Sequence, residues 1–552
     1  MPDRSDLDLD LGQIRDSGAR RVIAHLLNVI EELQADNERL RDELARVKGG
    51  AERPTIRPQT PRLPTRDVSS ERERHVPRPR HGQRNVTELV IHRVETLPVN
   101  PVELPPDAQF KGYVEVVVQD LLIQPQTTCF RKEKWYSPTM RQTYLAPLPP
   151  GYQGRFGPGL KAVGLALAYA GQMSEPKLLA FLRSVGVQIS AGFLAGFLIH
   201  DQERFHAEQA AVVAAGLASG PWQHFDETGT RVNGQNHHCH VLGNPLFTSY
   251  TTTPRKDRQA VLDVLRAGAP RTYLFNEAAE RALAQATLSA GIRRQLAHLP
   301  CDEVLDEAAL TRWLSHHLPR LGTQARQLIG DALGVAAYRA RTDGPVVDLL
   351  VTDDAPQFAG VTAARALCWI HVGRQLKQLT PCVPHHRRLL ARFLGRFWRY
   401  YRKLLAYREA PSPAAARRLE AGFDRLFATA TGYRGLDARI TVIRANKAAL
   451  LQVLAHPELP LHNNPAELGA RQRVRKRDVS FGPRTAAGAK AWDTFQTLVA
   501  TAAKLGVSFH DYVRDRVSEA HQLPALADLI RARAPALNLG HSWHTPAPSP
   551  SF

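Results

Sequence analysis

Cysteine is scarce in this 552-residue chain: Cys129, Cys239, Cys301, Cys368 and Cys382 lie scattered, and no two form a Cys-x-x-Cys pair. That argues against a disulfide scaffold or a zinc ribbon and suits a reducing compartment. Long apolar runs are missing too. The most apolar stretches, such as 191–199, fall far short of the ~20 residues a membrane helix needs. The N-terminus, Met-Pro-Asp-Arg-Ser-Asp, has no basic region followed by an apolar core, so no secretory signal is expected and the protein is read as soluble and cytoplasmic. Acid is outnumbered, with 53 Asp+Glu against 72 Lys+Arg, a net charge of +19 and a pI near 10. A polyanion partner follows naturally from that excess. The hydrophobic fraction of 43% and charged fraction of 23% fit a folded globular chain of roughly two to four domains.

What is present begins with heptads. Ile23, Ile30, Asn37 and Leu44 fall on a positions, and Leu26, Leu33, Leu40 and Val47 on d positions. β-Branched residues at a with Leu at d predict a parallel two-stranded coiled coil, so residues 1–50 are expected to dimerise the chain. Residues 51–84 hold nine Arg, four acids and six Pro, which predicts a basic linker. Residues 85–160 carry two strand-like runs (Thr87–Val94 and Tyr113–Leu122) and a Pro/Gly-rich stretch. Residues 161–215 are helical. There, a helix over 178–185, a glycine turn and a second helix opening at Ser190 resemble a DNA-binding helix-turn-helix or an ordinary helical hairpin.

From 216 to 520 the pattern is α/β. Trp222–Val232 reads as a strand, Asn233-Gly234 as a two-residue hairpin turn, Gln235–Leu242 as the returning strand and Leu246–Thr252 as a third. Helical sequence follows, with insertions near 273–342 and 375–455. Val346–Thr352 is a buried-strand candidate, and a helix opens at Pro465. Residues 521–552 form a C-terminal helix and tail. The predicted fold class is an α/β ribonuclease-H-like core with large helical insertions, preceded by a coiled coil and a small helical DNA-binding region.

Three acidic clusters sit on those elements: Asp226 in the first strand, Asp353-Asp354 after the fourth and Glu467 in the first turn of the closing helix. Phosphoryl transfer on DNA needs an activated oxygen nucleophile and a stabilised leaving oxygen, and carboxylates are the hard ligands that hold the required metal pair. Each position also has a plain structural reading. Asp226 could be an exposed strand carboxylate beside Arg231, and Asp353-Asp354 a turn. Asn464, Pro465 and Glu467 could be the N-cap, first residue and capping-box partner of a helix. Arg471, Arg473, Arg475, Lys476, Arg477 and Arg484 follow Glu467 and are expected to grip DNA phosphates. Residues 387–408 are basic, with aromatics at helical spacing read as a core stripe. His237-His238-Cys239-His240 is read as strand packing, because alternation splits it between two faces. Cys368 and His371 make only a weak zinc half-site.

Taken together these residues resemble the insertion-sequence-66 family of transposases, DDE enzymes with a ribonuclease-H-like core. The matching pieces are Asp226-Glu227-Thr228-Gly229 with Arg231-Val232, Val351-Thr352-Asp353 with Phe358, Cys368-Trp369-Ile370-His371 with Arg374, and Asn463-Asn464-Pro465-Ala466-Glu467 with Arg471. The resemblance covers about 160–520. It implies that Asp226, Asp353 and Glu467 form a catalytic triad holding two Mg2+ (or Mn2+) ions, with Asp354 the alternative second acid. It further implies transposon ends and target DNA as substrates, accessory transposition proteins as partners and a nucleoid-associated location. Rival readings are a repurposed transposase that only binds DNA, and a nuclease of the same fold. The chain departs from the family in having Leu468 after Glu467, in lacking zinc-ribbon cysteines before the core, and in a long interval between Asp226 and Asp353.

Overall fold

The computed structural model describes residues 11–47 and 90–537, apart from positions 101, 103, 153 and 287. The basic linker at 51–84 and the tail after 537 lie outside the described residues, as does the start of the Thr87–Val94 run.

Helix α1 (Ser17–Val47) is the heptad segment. It lies on its own chain by a face that includes two of the predicted a positions, Ile23 and Ile30. Leu27 is buried against Val383, with Ile23 and Ile30 partly buried next to it. Asn28 receives a bond from the Arg434 amide (2.9 Å) and gives one to the Gly432 carbonyl (2.9 Å). The leucine row stays open: Leu26, Leu33, Leu40 and Leu44 are 52–60% exposed. The first part of the predicted a row thus packs on the chain itself, while the leucine row remains open.

Residues 90–133 form no regular structure, so the strand expected at Tyr113–Leu122 is not there; its apolar residues are exposed. Alternation gives a segment strand character, but a strand needs a neighbour for its backbone bonds, and this run has none among the described residues. A small hairpin follows, β1 (Lys134–Ser137) with β2 (Gln142–Leu145). Then come α2 (Pro158–Leu165), α3 (Glu175–Ser184), α4 (Ala191–Ile199) and α5 (Glu203–Ala218). Ser190 caps α4 by accepting from the Phe193 amide (3.2 Å). Leu194 and Leu198 then bury that helix in the main core.

The central sheet has five strands, in the order 248–253, 235–243, 222–232, 349–352 and 364–367. β3 (Trp222–Val232), β4 (Gln235–Gly243) and β5 (Thr248–Thr253) form the antiparallel meander. Asn233 and Gly234 both have positive φ (50° and 74°), the backbone a type I′ turn requires. After α6 (Arg258–Leu265) the chain leaves the sheet for a subdomain with its own core around Leu296, Leu310 and Leu333. It contains β6 (Thr272–Leu274), α7 (Glu277–Gln285), α8 (Ala290–Leu296), β7 (Val304–Asp306), α9 (Glu307–His317) and α10 (Thr323–Ala340). The β6–β7 pair interrupts what sequence periodicity reads as wholly helical.

The chain re-enters the sheet as β8 (Leu349–Thr352), parallel to β3, and β9 (Ala364–Leu367), parallel to β8. A second helical subdomain follows: α11 (Trp369–Lys377), α12 (Pro384–Glu409), α13 (Pro413–Phe427), α14 (Arg434–Ala445) and a short helical stretch at 447–455. Phe393, Phe397, Trp398, Tyr400 and Tyr401 point into its core with Trp369 and Phe423, so the aromatic stripe packs and does not stack bases. The chain closes with α15 (Asn464–Ser480), α16 (Ala486–Lys504), α17 (Phe509–Val517) and α18 (Leu526–Arg533). No helix among the described residues is long and apolar enough to cross a membrane.

Candidate active site

Strand register brings the first two acids level. Trp222, Gln223 and His224 pair with Leu349, Leu350 and Val351. Carried two residues further, the same register sets Asp226 beside Asp353, just past the end of β8. Asp226 Oδ1 accepts from the Glu227 amide (2.8 Å), and Asp353 Oδ1 from the Ala355 amide (3.1 Å). Asp354 is engaged elsewhere: its two oxygens accept from Arg365 Nη2 (3.2 Å) and Asn446 Nδ2 (2.9 Å).

The third acid arrives on α15, and three contacts fix that helix. Its N-cap is Asn463, one residue before the expected Asn464, and the cap side chain makes no bond to the helix. Instead Asn463 Oδ1 meets His224 Nδ1 (2.9 Å) while Nδ2 donates to the Phe225 carbonyl (2.7 Å). Burial holds His224 neutral, with its pKa down at about 3, and because the Asn463 oxygen only accepts, the His224 Nδ1–H is the donor of that pair. Cys368 Sγ accepts from the amides of His371 (3.4 Å) and Asn463 (3.3 Å), which gives this cysteine a structural bond in place of a zinc. Then Gly469 lets the helix touch the sheet. A Cβ there would stand 2.6 Å from Val241 Cγ1, and Val241 is the cross-strand partner of Asp226. Tyr250 Oη donates to the Gly469 carbonyl (3.2 Å) from the same side.

Glu467 lies between these contacts. Its Oε2 accepts from Arg374 Nη1 on α11 at 2.8 Å. A capping box is therefore not its role: the carboxylate faces a guanidinium and not the start of its own helix. Electrostatics links the acids. Burial pushes the Asp226 carboxyl up to about 7, and the carboxylates of Asp353, Glu467 and Glu227 add to the rise. Burial also raises Glu227, against the pull of Lys256, whose Nζ is 3.5 Å away. Asp226, Asp353 and Glu467 are thus neighbours in one field. They are not a closed cage: among the described residues, no three His, Cys, Asp or Glu side chains converge as a metal-ion site. The donor set itself, hard carboxylate oxygens with charge in excess, is the kind that Mg2+ accepts while keeping several waters.

The basic residues after Glu467 divide by helical face. Arg471, Arg475 and Arg484 are exposed. Arg473 and Lys476 are buried, so the expectation that they grip DNA is corrected. Arg473 pairs with Asp493 between the rings of Tyr250 and Trp492, 5.7 and 5.6 Å from their centroids. Lys476 Nζ donates to the carbonyls of Ala168 (2.6 Å) and Met173 (3.2 Å). Arg477 is half-buried, donating to the Gly229 carbonyl (2.6 Å). Helical spacing carried this signal, since Ala466, Gly469, Ala470, Arg473 and Lys476 share one face. The histidine cluster packs: His240 is buried and bonded to Thr253 Oγ1 (2.7 Å), and burial raises the Cys239 thiol to about 12. Asn463, His224, Gly469 and Glu227 are site residues to which sequence reasoning gave no role of their own. Glu227 was visible only as the neighbour of Asp226, and its Oε2 is buried without a hydrogen-bond partner among the described residues.

Comparison with known proteins bears on this arrangement. Residues 343–491 match the family model described as "Transposase IS66 family". That span contains Asp353, the Cys368–Arg374 segment and Glu467; Asp226 precedes it. The chain is also 34% identical over 326 residues to "Uncharacterized protein y4jO" of Sinorhizobium fredii (strain NBRC 101917 / NGR234), a match covering 58% of this chain and 99% of that protein.

Proposed function

Because the chain belongs to the IS66 transposase family, we propose that it is a DNA transposase whose acids Asp226, Asp353 and Glu467 carry metal-dependent strand cleavage and strand transfer. The observation that supports this reading best is the meeting of three distant segments. Parallel register sets Asp226 beside Asp353, and the Asn463 bonds set the first turn of α15 against the same strand. The strand order of the sheet suits a ribonuclease-H-like core.

When bound, two Mg2+ (or Mn2+) ions would supply an activated oxygen nucleophile and a stabilised leaving oxygen. Asp226, Asp353 and Glu467 would hold them. With its carboxyl raised by burial, Asp226 would give up its proton to serve as a ligand. Arg374 orients Glu467 and balances its charge when no cation is present. Exposed Arg471, Arg475 and Arg484 would meet phosphates beside the acids. Asp354, already bonded to Arg365 and Asn446, is left a structural part. The chain would act on transposon ends and target DNA as a homodimer joined through the open leucine row of α1, with accessory proteins, at the nucleoid.

Supercoiled plasmid carrying the DNA that flanks the gene tests this. Incubated with Mg2+ or Mn2+, the protein is expected to nick or join it, and Glu467→Gln to lose that activity. Tight DNA binding without cleavage, persisting when cell extract is added, would favour a chain that only binds DNA.

A further inference from the structure

One face of α12 is a row of cations that the proposed chemistry does not use. Arg392, Arg396, Arg399 and Lys403 recur at intervals of four, three and four residues. At 3.6 residues per turn they fall within an arc of about 60° and cover about 16 Å of helix axis. Arg402 flanks the row. Apart from Ala406 and Glu409, every exposed residue of α12 is Arg or Lys, and the helix carries no acid before Glu409. Among the described residues none of the five pairs with a carboxylate: Arg396 donates to the neutral Thr429 Oγ1 (3.2 Å). The acids of neighbouring α13, Glu420 and Asp424, are taken by Lys447 (3.2 and 2.9 Å).

Like charges three and four residues apart destabilise a helix by a few tenths of a kcal/mol per pair. The buried aromatics on the opposite face hold the row together despite that repulsion. The row is also held in place at its middle and at the start of its helix. At Gly373 on α11 an added Cβ would stand 2.5 Å from the tip of the Trp398 indole, so that ring lies directly against the α11 backbone. The next residue, Arg374, is bonded to Glu467. At the start of the helix, Glu31 of α1 accepts from the amides of Cys382 and Val383 (2.9 Å each) and meets His386 Nδ1 (3.1 Å), anchoring α12.

We propose that this face of α12 is a track for the phosphate backbone of duplex DNA, separate from the arginines of α15. The identity of the polyanion as DNA rests on the transposase reading. A linear, single-sign row without an exposed large apolar residue suits phosphates better than a protein partner, whose interface needs an apolar centre. Its 16 Å matches about five nucleotides of one strand at 3.4 Å each. Contacts to phosphate oxygens carry no base information, so binding along the track is expected to be blind to sequence.

The test is fluorescence anisotropy of a labelled duplex of about thirty base pairs in EDTA, with salt from about 50 to 300 mM. The track variant replaces Arg392, Arg396, Arg399 and Lys403 with Gln. The control variant replaces Arg281, Arg294, Arg312 and Arg320 of the first subdomain with Gln, for the same net charge. The slope of log Kobs against log salt is expected to become shallower by about 3.6 in the track variant, from about 0.9 per phosphate contact, and to hold in the control. Changing Arg392, Arg396 and Arg399 to Lys is expected to keep the slope. An unchanged slope in the track variant, or an equal loss in the control, overturns the track. So does a wild type that binds no duplex. Plasmid nicking reads the other question: a wild type that nicks with a slope indifferent to the row sinks the track alone. A slope that follows the row without nicking, even with cell extract added, supports the track and removes the proposed chemistry.

Discussion

His224 Nδ1 and Asn463 Oδ1 are 2.9 Å apart although 239 residues separate them in the chain. Through this bond, and the one from Asn463 Nδ2 to the Phe225 carbonyl, the residue that opens α15 is pinned to the strand that carries Asp226. The distance between the first and third acids therefore depends on a neutral amide that is not itself an acid.

Asn463→Ala leaves the His224 N–H and the Phe225 carbonyl buried and unpaired. Each orphaned group costs about 1–3 kcal/mol, so urea unfolding is expected to show a loss of about 2–6 kcal/mol. Plasmid nicking should fall further than stability alone explains when assayed well below the melting temperature. A variant as stable as wild type would show that the bond does not pin the helix.

Gly469→Val drives side-chain atoms into Val241. Overpacking of this kind costs about 1–3 kcal/mol. Adding Val241→Ala opens the space again and is expected to recover most of the loss, a coupling that a double-mutant cycle reads directly. Additive losses would mean that the helix does not bear on the sheet at this point.

Asp226 gives a pH-dependent prediction. Its folded pKa of about 7 lies above the ordinary carboxylate value near 3.9, so the native state holds a proton that the unfolded chain has released. Native stability is then lost as pH rises from about 4 to 7. In EDTA, Asp226→Asn is expected to stabilise the protein by on the order of 1 kcal/mol at pH 8, after allowance for solvent screening, and to make no difference at pH 4. Thermal melts across that range check the sign.

Arg473 and Arg475 are two residues apart and are expected to behave oppositely. Arg473→Ala strands Asp493, partly buried with its other bonds to Thr252 (2.7 and 2.8 Å), at a cost of about 3 kcal/mol. Arg475→Ala, at an exposed position, should leave the melting temperature unchanged and weaken DNA binding.

The leucine row of α1 predicts assembly. Leu33→Asp with Leu40→Asp places charge on the open seam without touching the Leu27, Asn28 and Glu31 contacts. Light scattering is expected to show a dimer for the wild type and a monomer for this variant, with the fold retained. A monomeric wild type would remove the coiled-coil role.

Much of the sheet was legible. Alternation marked β3, Asn-Gly marked its turn, and the apolar run at Val346–Thr352 marked β8. Strand β9 was not, because Ala-Arg-Ala-Leu has neither β-branched residues nor alternation; pairing to β8 makes it a strand. The reverse failure occurred at Tyr113–Leu122, which has the pattern and lacks the neighbour. In the site, the acid types and their order could be read. The N-cap could not be placed to the residue, since Asn463 and Asn464 are equally good caps and only the position of His224 distinguishes them.

By itself the sequence determined the period of each element, the excess of positive charge, the inward aromatic stripe of α12 and the motifs that mark the family. These are local properties, set by propensity and spacing within one or two turns. Only the tertiary structure decided that Asp354 is bonded to Arg365 and Asn446 while Asp353 stands by Asp226. It alone decided that Glu467 faces Arg374, and that two of the expected DNA-gripping cations are buried. Each of those outcomes depends on which distant segment supplies the partner. A charge is free or neutralised, buried or exposed, according to what packs against it, and that is not encoded within its own turn of helix.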